Sequence, residues 1–102
     1  MINEFARGSK GVIHACEFTD LIQGVWDLLE SGQETEAGDL FDVLLPGISL
    51  EGLMGMAFAK EIMVRRGIFK NNRMRMETKP LDAEDLIEID RVWERVQSYL
   101  KI

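Results

Sequence analysis

The chain has 102 residues, room for one small domain, and its 46% apolar content excludes a disordered polar tail. A formal charge of −6 and a pI near 4.7 argue against nucleic acid as the default partner, because phosphate repels such a surface. No apolar run is long enough to span a bilayer, no signal-peptide pattern opens the chain, and the lone Cys16 cannot close an intrachain disulfide, so the expected compartment is a reducing cytoplasm.

Residues 1–9 admit two readings. Glu4-Phe5 and Gly8-Ser9 match common translated cloning sites, and the same residues fit the end of a native helix closed by Gly8. Residues 11–15 then carry Val12 and Ile13, two β-branched residues in a short apolar segment, and read as one strand. A single strand cannot satisfy its own backbone donors and acceptors, and no second strand is legible downstream. Residues 10–31 thus form one strand–helix unit of a larger α/β architecture.

From Glu17 the period changes to that of a helix. Phe18, Leu21, Ile22, Val25, Trp26, Leu28 and Leu29 recur at spacings of three and four, and Ser31-Gly32 closes the helix. Gly24 interrupts it at about 1 kcal/mol relative to alanine. A second helix is expected over about 33–45, with Glu34 and Glu36 in its first turn and Ala37, Leu40, Phe41, Leu44 and Leu45 on its apolar face. Pro46-Gly47 is expected to break or kink it. A third helix is expected over about 50–66, where Gly52 and Gly55 would let another backbone approach closely and Arg65 and Arg66 complement the C-terminal dipole.

Residues 68–80 have little period and carry Lys70, Arg73, Arg75 and Lys79, which reads as a connecting loop. Asp82 starts the last helix as N-cap with Asp85 at the third helical position, close to a capping box. Leu86, Ile89, Trp93, Val96 and Leu100 form its stripe. The expected fold class is mainly α, four helices with at most one short strand at about 11–15.

At this point the order of motifs is informative. Gly11-Val12-Ile13, a helix ending in Ser31-Gly32, and a helix ending in Leu44-Leu45-Pro46 resemble the C-terminal third of the dihydrodipicolinate synthase / N-acetylneuraminate lyase family. Lys60-Glu61, Arg65-Arg66-Gly67-Ile68 and Pro80-Leu81-Asp82-Ala83-Glu84-Asp85 are similar to that family's closing segments, and His14 to Asp20 looks like a dehydratase- or aldolase-like subgroup. The resemblance implies a (β/α)8 TIM barrel in which residues 10–31 are the last βα unit and residues 32–102 the helical extension.

It further implies class I lyase chemistry, in which a lysine of the sixth strand forms an imine with pyruvate or a related 2-keto acid. That lysine, the proton-relaying tyrosine and the Gly-Thr-Thr-like carboxylate loop have no counterpart in this sequence. One substrate-binding position carries over: the family's Gly-Val-Ile isoleucine, which offers its carbonyl to the keto-acid pocket, matches Ile13. The chain departs from the pattern at the next residue, where many relatives have serine and this one has His14.

His14 and Cys16 would share a face of an extended segment, but a metal site needs three or four ligands and a nucleophile pair needs contact and an oxyanion site. A semi-buried histidine and a buried thiol are the plainer expectation. Lys60, flanked by Glu61, and Lys10 are expected to be solvated or salt-bridged lysines and not imine formers. Trp26 and Trp93 read as core or interface residues.

The sequence therefore predicts a fragment of a Schiff-base lyase, inactive by itself, with no catalytic residue, cofactor or metal of its own. Its exposed helix faces are expected to drive self-association. The alternative is a small non-enzymatic helical oligomerisation or partner-binding module.

Overall fold

The computed structural model describes residues 1–101. Its elements are helices α1 (Ile2–Ala6), α2 (Thr19–Glu30), α3 (Glu34–Met54), α4 (Met56–Arg65) and α5 (Ala83–Val96), with 3₁₀ turns at Cys16–Phe18 and Gln97–Tyr99. No strand occurs among the described residues, so the molecule is mainly α. The segment expected as a strand, 11–15, is an irregular strap. The reason is the one that made the strand conditional: no neighbouring strand is present to take up its backbone groups.

The α2 stripe folds as its spacing dictates. Leu21, Ile22, Val25 and Leu29 are buried, and the short connection through Ser31-Gly32-Gln33 turns the chain back so that α3 packs against α2 as a helical hairpin. Gly32 takes φ +79°, and the amide of Gln33 donates to the Leu28 carbonyl, which closes α2.

Two expected boundaries are wrong. Helix α3 does not stop at Leu45; it runs through Pro46 for 21 residues. The proline removes one backbone donor and crowds the preceding turn at a cost of about 3 kcal/mol. Burial of Leu44, Gly47 and Leu50 on both sides of it keeps the helix intact. The expected third helix over 50–66 is instead divided at Gly55, whose φ of +61° and ψ of −143° end α3 and start α4. Only glycine adopts that conformation readily.

Close approach also falls elsewhere than expected. A Cβ at Gly52 or Gly55 would meet nothing, whereas one at Gly24 would lie 3.3 Å from Leu40 and one at Gly47 only 2.8 Å from the Phe18 ring. Phe18 is itself buried. Gly47→Ala is therefore expected to destabilise the protein by about 1–3 kcal/mol despite alanine's better helix propensity, read as a lowered urea midpoint.

The core is one cluster drawn from all the longer helices: Phe18, Val25, Leu44, Phe58, Ile62, Ile89, Val92 and Val96 are among its members. The α5 cap matches the sequence reading. The Asp85 amide donates to the Asp82 carboxylate at 2.9 Å, and the Asp82 amide donates back to Asp85 at 3.1 Å. Val92 joins the expected α5 stripe as a buried member. At the other end, α1 is held by an edge-to-face contact between Phe5 and Trp26, ring centres 5.0 Å apart, and is closed by Gly8 at φ +96°.

Candidate functional site

The strap lies beside α2, and the helices leave a cavity of about 310 Å³ behind it. Val12, Ile13, His14 and Ala15 form one side of this cavity; Phe18 and Ile22 with Phe41, Ile48 and Glu51 of α3 form the other, with Glu17 between. Among the described residues, no backbone–backbone hydrogen bond engages residues 10–14. The local bonds are from side chains: Ser9 Oγ donates to the Gly11 carbonyl at 2.9 Å, and His14 Nδ1 meets the Ala15 carbonyl at 2.7 Å.

Ile13, the carried-over substrate position, presents a side chain that is 102% exposed at the cavity rim. His14 and Cys16 are both exposed, which corrects the expectation of a semi-buried imidazole and a buried thiol. Both residues depended on strand pairing to become covered, and the strap has no partner strand. Lys60 donates to the Arg73 carbonyl at 2.8 Å, and Asn72 donates to Glu61 at 2.9 Å, so the basic loop is pinned to α4. A second cavity of about 450 Å³ lies beneath that loop, between Arg73, Lys79 and Leu86.

The polar centre of the molecule is a pair of arrangements not foreseen from the sequence. Glu17 is 1% exposed, and neither of its carboxylate oxygens has a hydrogen-bond partner. Burial, helped by the neighbouring Glu51 carboxyl, outweighs the lowering effect of Glu17's own backbone amide and pushes Glu17 up from 4.5 to about 7.

Three residues along the chain from Glu17, Asp20 forms a two-point ion pair with Arg66, whose Nε alone is left without a partner. Arg66, whose side chain is 4% exposed, donates Nη1 to Asp20 Oδ1 at 3.0 Å and Nη2 to Asp20 Oδ2 at 2.8 Å. Nη1 also donates to the Glu17 backbone carbonyl. Asp20 in turn accepts from the Leu21 amide at 3.1 Å and the Lys101 amide at 2.9 Å. Burial pushes the Asp20 carboxyl up, but the Arg66 bonds, the Lys101 amide and the guanidinium charge outweigh it and hold the group below 3.8. Arg66 was expected only to complement the helix dipole; it ties the end of α4 to the start of α2.

Among the described residues, no group of three His, Cys, Asp or Glu side chains converges as a metal site would require. No described helix is long and apolar enough to cross a membrane. No family model, no curated protein and no solved structure matches the chain, so the residues themselves carry the functional reading.

What the sequence missed has a common form. Glu17 stands at the start of an amphipathic stretch, where an acid is ordinary. Its burial depends on Glu51 and the strap arriving from elsewhere. The one available signal was Glu17 beside Phe18 in an otherwise apolar turn, which marks a carboxylate drawn toward the core.

Proposed function

We propose that this chain is the scaffold-bearing C-terminal portion of a class I, Schiff-base lyase of the dihydrodipicolinate synthase type, cytoplasmic, acting on pyruvate or a related 2-keto acid as the whole enzyme and inert by itself. The observation that carries the reading is the strap. A Gly-Val-Ile segment with no backbone pairing over residues 10–14 and a bare Ile13 is what an interior barrel strand becomes without its neighbours.

The surface supports the same reading. The chain exposes 6849 Å², against about 5800 Å² for a compact monomer of its mass. The radius of gyration is 14.4 Å, against about 13 Å for a compact chain of this length. Leu53 and Met76, each 79% exposed, contribute to the uncovered apolar area. Such surface favours packing against further polypeptide, in a barrel or between copies.

Inertness follows from the amines. An imine-forming lysine needs desolvation or a neighbouring cation to free its lone pair. Lys10, Lys70, Lys79 and Lys101 are exposed, and Lys60 donates to a carbonyl. Incubating the chain with pyruvate and borohydride is expected to leave its intact mass unchanged; a stable adduct would overturn the assignment. The reading frame upstream of the Met1 codon decides between the two origins. An open frame encoding barrel strands with a buried lysine supports the lyase, and a stop codon with a ribosome site there supports an independent helical module.

A further inference from the structure

Among the described residues Glu17 is the one charged residue in the buried core, and both its oxygens lack a hydrogen-bond partner. A buried carboxylate in that state is costly, and a second carboxylate beside it raises the cost. No lysine or arginine lines the cavity, and the one cation at its wall, the Met1 ammonium, is taken by Glu4 and Asn3; the other walls are mainly apolar, with Val12, Phe18, Ile22, Phe41 and Ile48 among them. What the site lacks is a donor: its own proton supplies one when Glu17 is neutral, and a hydrogen-bond-donating cation would supply one when it is charged.

We propose that this cavity binds a small organic cation, a primary ammonium group on a short apolar stem. An ammonium offers three donors, which matches the two Glu17 oxygens and one from Glu51. The stem would lie against Ile22, Phe41 and Ile48. A divalent metal is disfavoured, because two carboxylates fall short of the six to eight oxygens calcium takes and no third ligand converges among the described residues. A quaternary ammonium is disfavoured because it has no N–H to donate.

Entry requires only that the strap move. Residues 10–14 have no backbone–backbone hydrogen bond to break, so the ligand reaches Glu17 without unfolding a helix. The charged and titratable groups around the site come from each neighbouring element. Glu51 faces Glu17 from α3, and His14 faces the cavity from the strap. The Met1 amino group beside α1 is held by Glu4 and Asn3. Arg66 is committed to Asp20 and the Glu17 carbonyl.

The proton that Glu17 holds until about 7 competes with the ligand, so binding strengthens as pH rises through that value. The site stands apart from the lyase reading, which survives if this proposal fails.

The test is a titration of the ¹⁵N-labelled full chain with butylammonium, followed by amide chemical shifts, with 1-butanol and butyltrimethylammonium as controls. Saturable shifts are expected in the strap and at the start of α2. Affinity is expected to rise about tenfold from pH 6 to pH 8. Glu17→Gln and Glu51→Gln are each expected to weaken binding at least about tenfold while retaining the folded spectrum. Equal binding of the alcohol or the quaternary amine would overturn the proposal. So would full affinity in both folded variants, or an absence of shifts at residues 10–18.

Discussion

Replacing Arg66 by alanine is expected to destabilise the protein by about 3–5 kcal/mol, the range for breaking a buried ion pair from one side. Such a loss is a large fraction of the roughly 5–15 kcal/mol that a domain of this size has in total. The cost comes from what remains. The Glu17 carbonyl loses its donor, and Asp20 keeps its charge with only two backbone amides to hold it. Arg66→Lys is expected to recover less than half, because a single ammonium cannot reach both Asp20 oxygens in the paired geometry that the guanidinium adopts. Urea midpoints at pH 7 measure both.

The acid side provides an internal check. Asp20 is held below 3.8, so its contribution is present above that pH and is lost as pH falls through the folded value. The stability gap between wild type and Arg66→Ala is therefore expected to narrow in strong acid. A gap that stays constant down to pH 2 would mean that Arg66 acts through packing and not through Asp20.

Glu17→Gln is expected to act in the opposite direction and to stabilise. Glu17 titrates near 7 when folded, against 4.5 as its ordinary value. A raised acid favours the folded state fully below the ordinary value, and that advantage disappears as pH climbs to the folded one. The difference corresponds to at most about 3 kcal/mol. Wild type and Glu17→Gln are thus expected to be close in stability near pH 4 and to diverge in favour of the variant up to about pH 8. Denaturant titrations of both chains across this range give the curve directly. A variant less stable than wild type at pH 8 would show that Glu17 is held by interactions that outweigh its burial.

Much of this fold is legible in the sequence because the information is local. The α5 cap needs only Asp82 and Asp85 three residues apart, and it forms as expected. The α2 stripe needs only the spacing of Leu21, Ile22, Val25 and Leu29, and all four are buried. Glu34 and Glu36 mark the start of α3 for the same reason: the helix dipole is felt within one turn.

The errors share an opposite cause. Pro46 predicts a break or a kink by a local rule, and with Leu44 and Leu50 buried on either side of it the helix does not break. Gly55 looks like one more small residue in a helical run, and its backbone turn follows from how α3 and α4 both reach the core. The candidate site was the least legible part. Ile13, His14 and Cys16 could be named from the strap, but their exposure depends on whether neighbours cover it. Arg66 and Asp20 lie 46 residues apart and carry no shared motif.

The sequence alone determined that this chain is mainly helical, where its last helix begins and which faces turn inward, because helical period, capping and dipole preference act over three or four residues. Tertiary structure decided that a proline stays inside α3, that residues 11–15 remain a strap, and that a carboxylate is sealed beside another while an arginine spans two helices. Those outcomes depend on burial and pairing between distant segments, where the free energy of one group is set by what the rest of the chain brings to it.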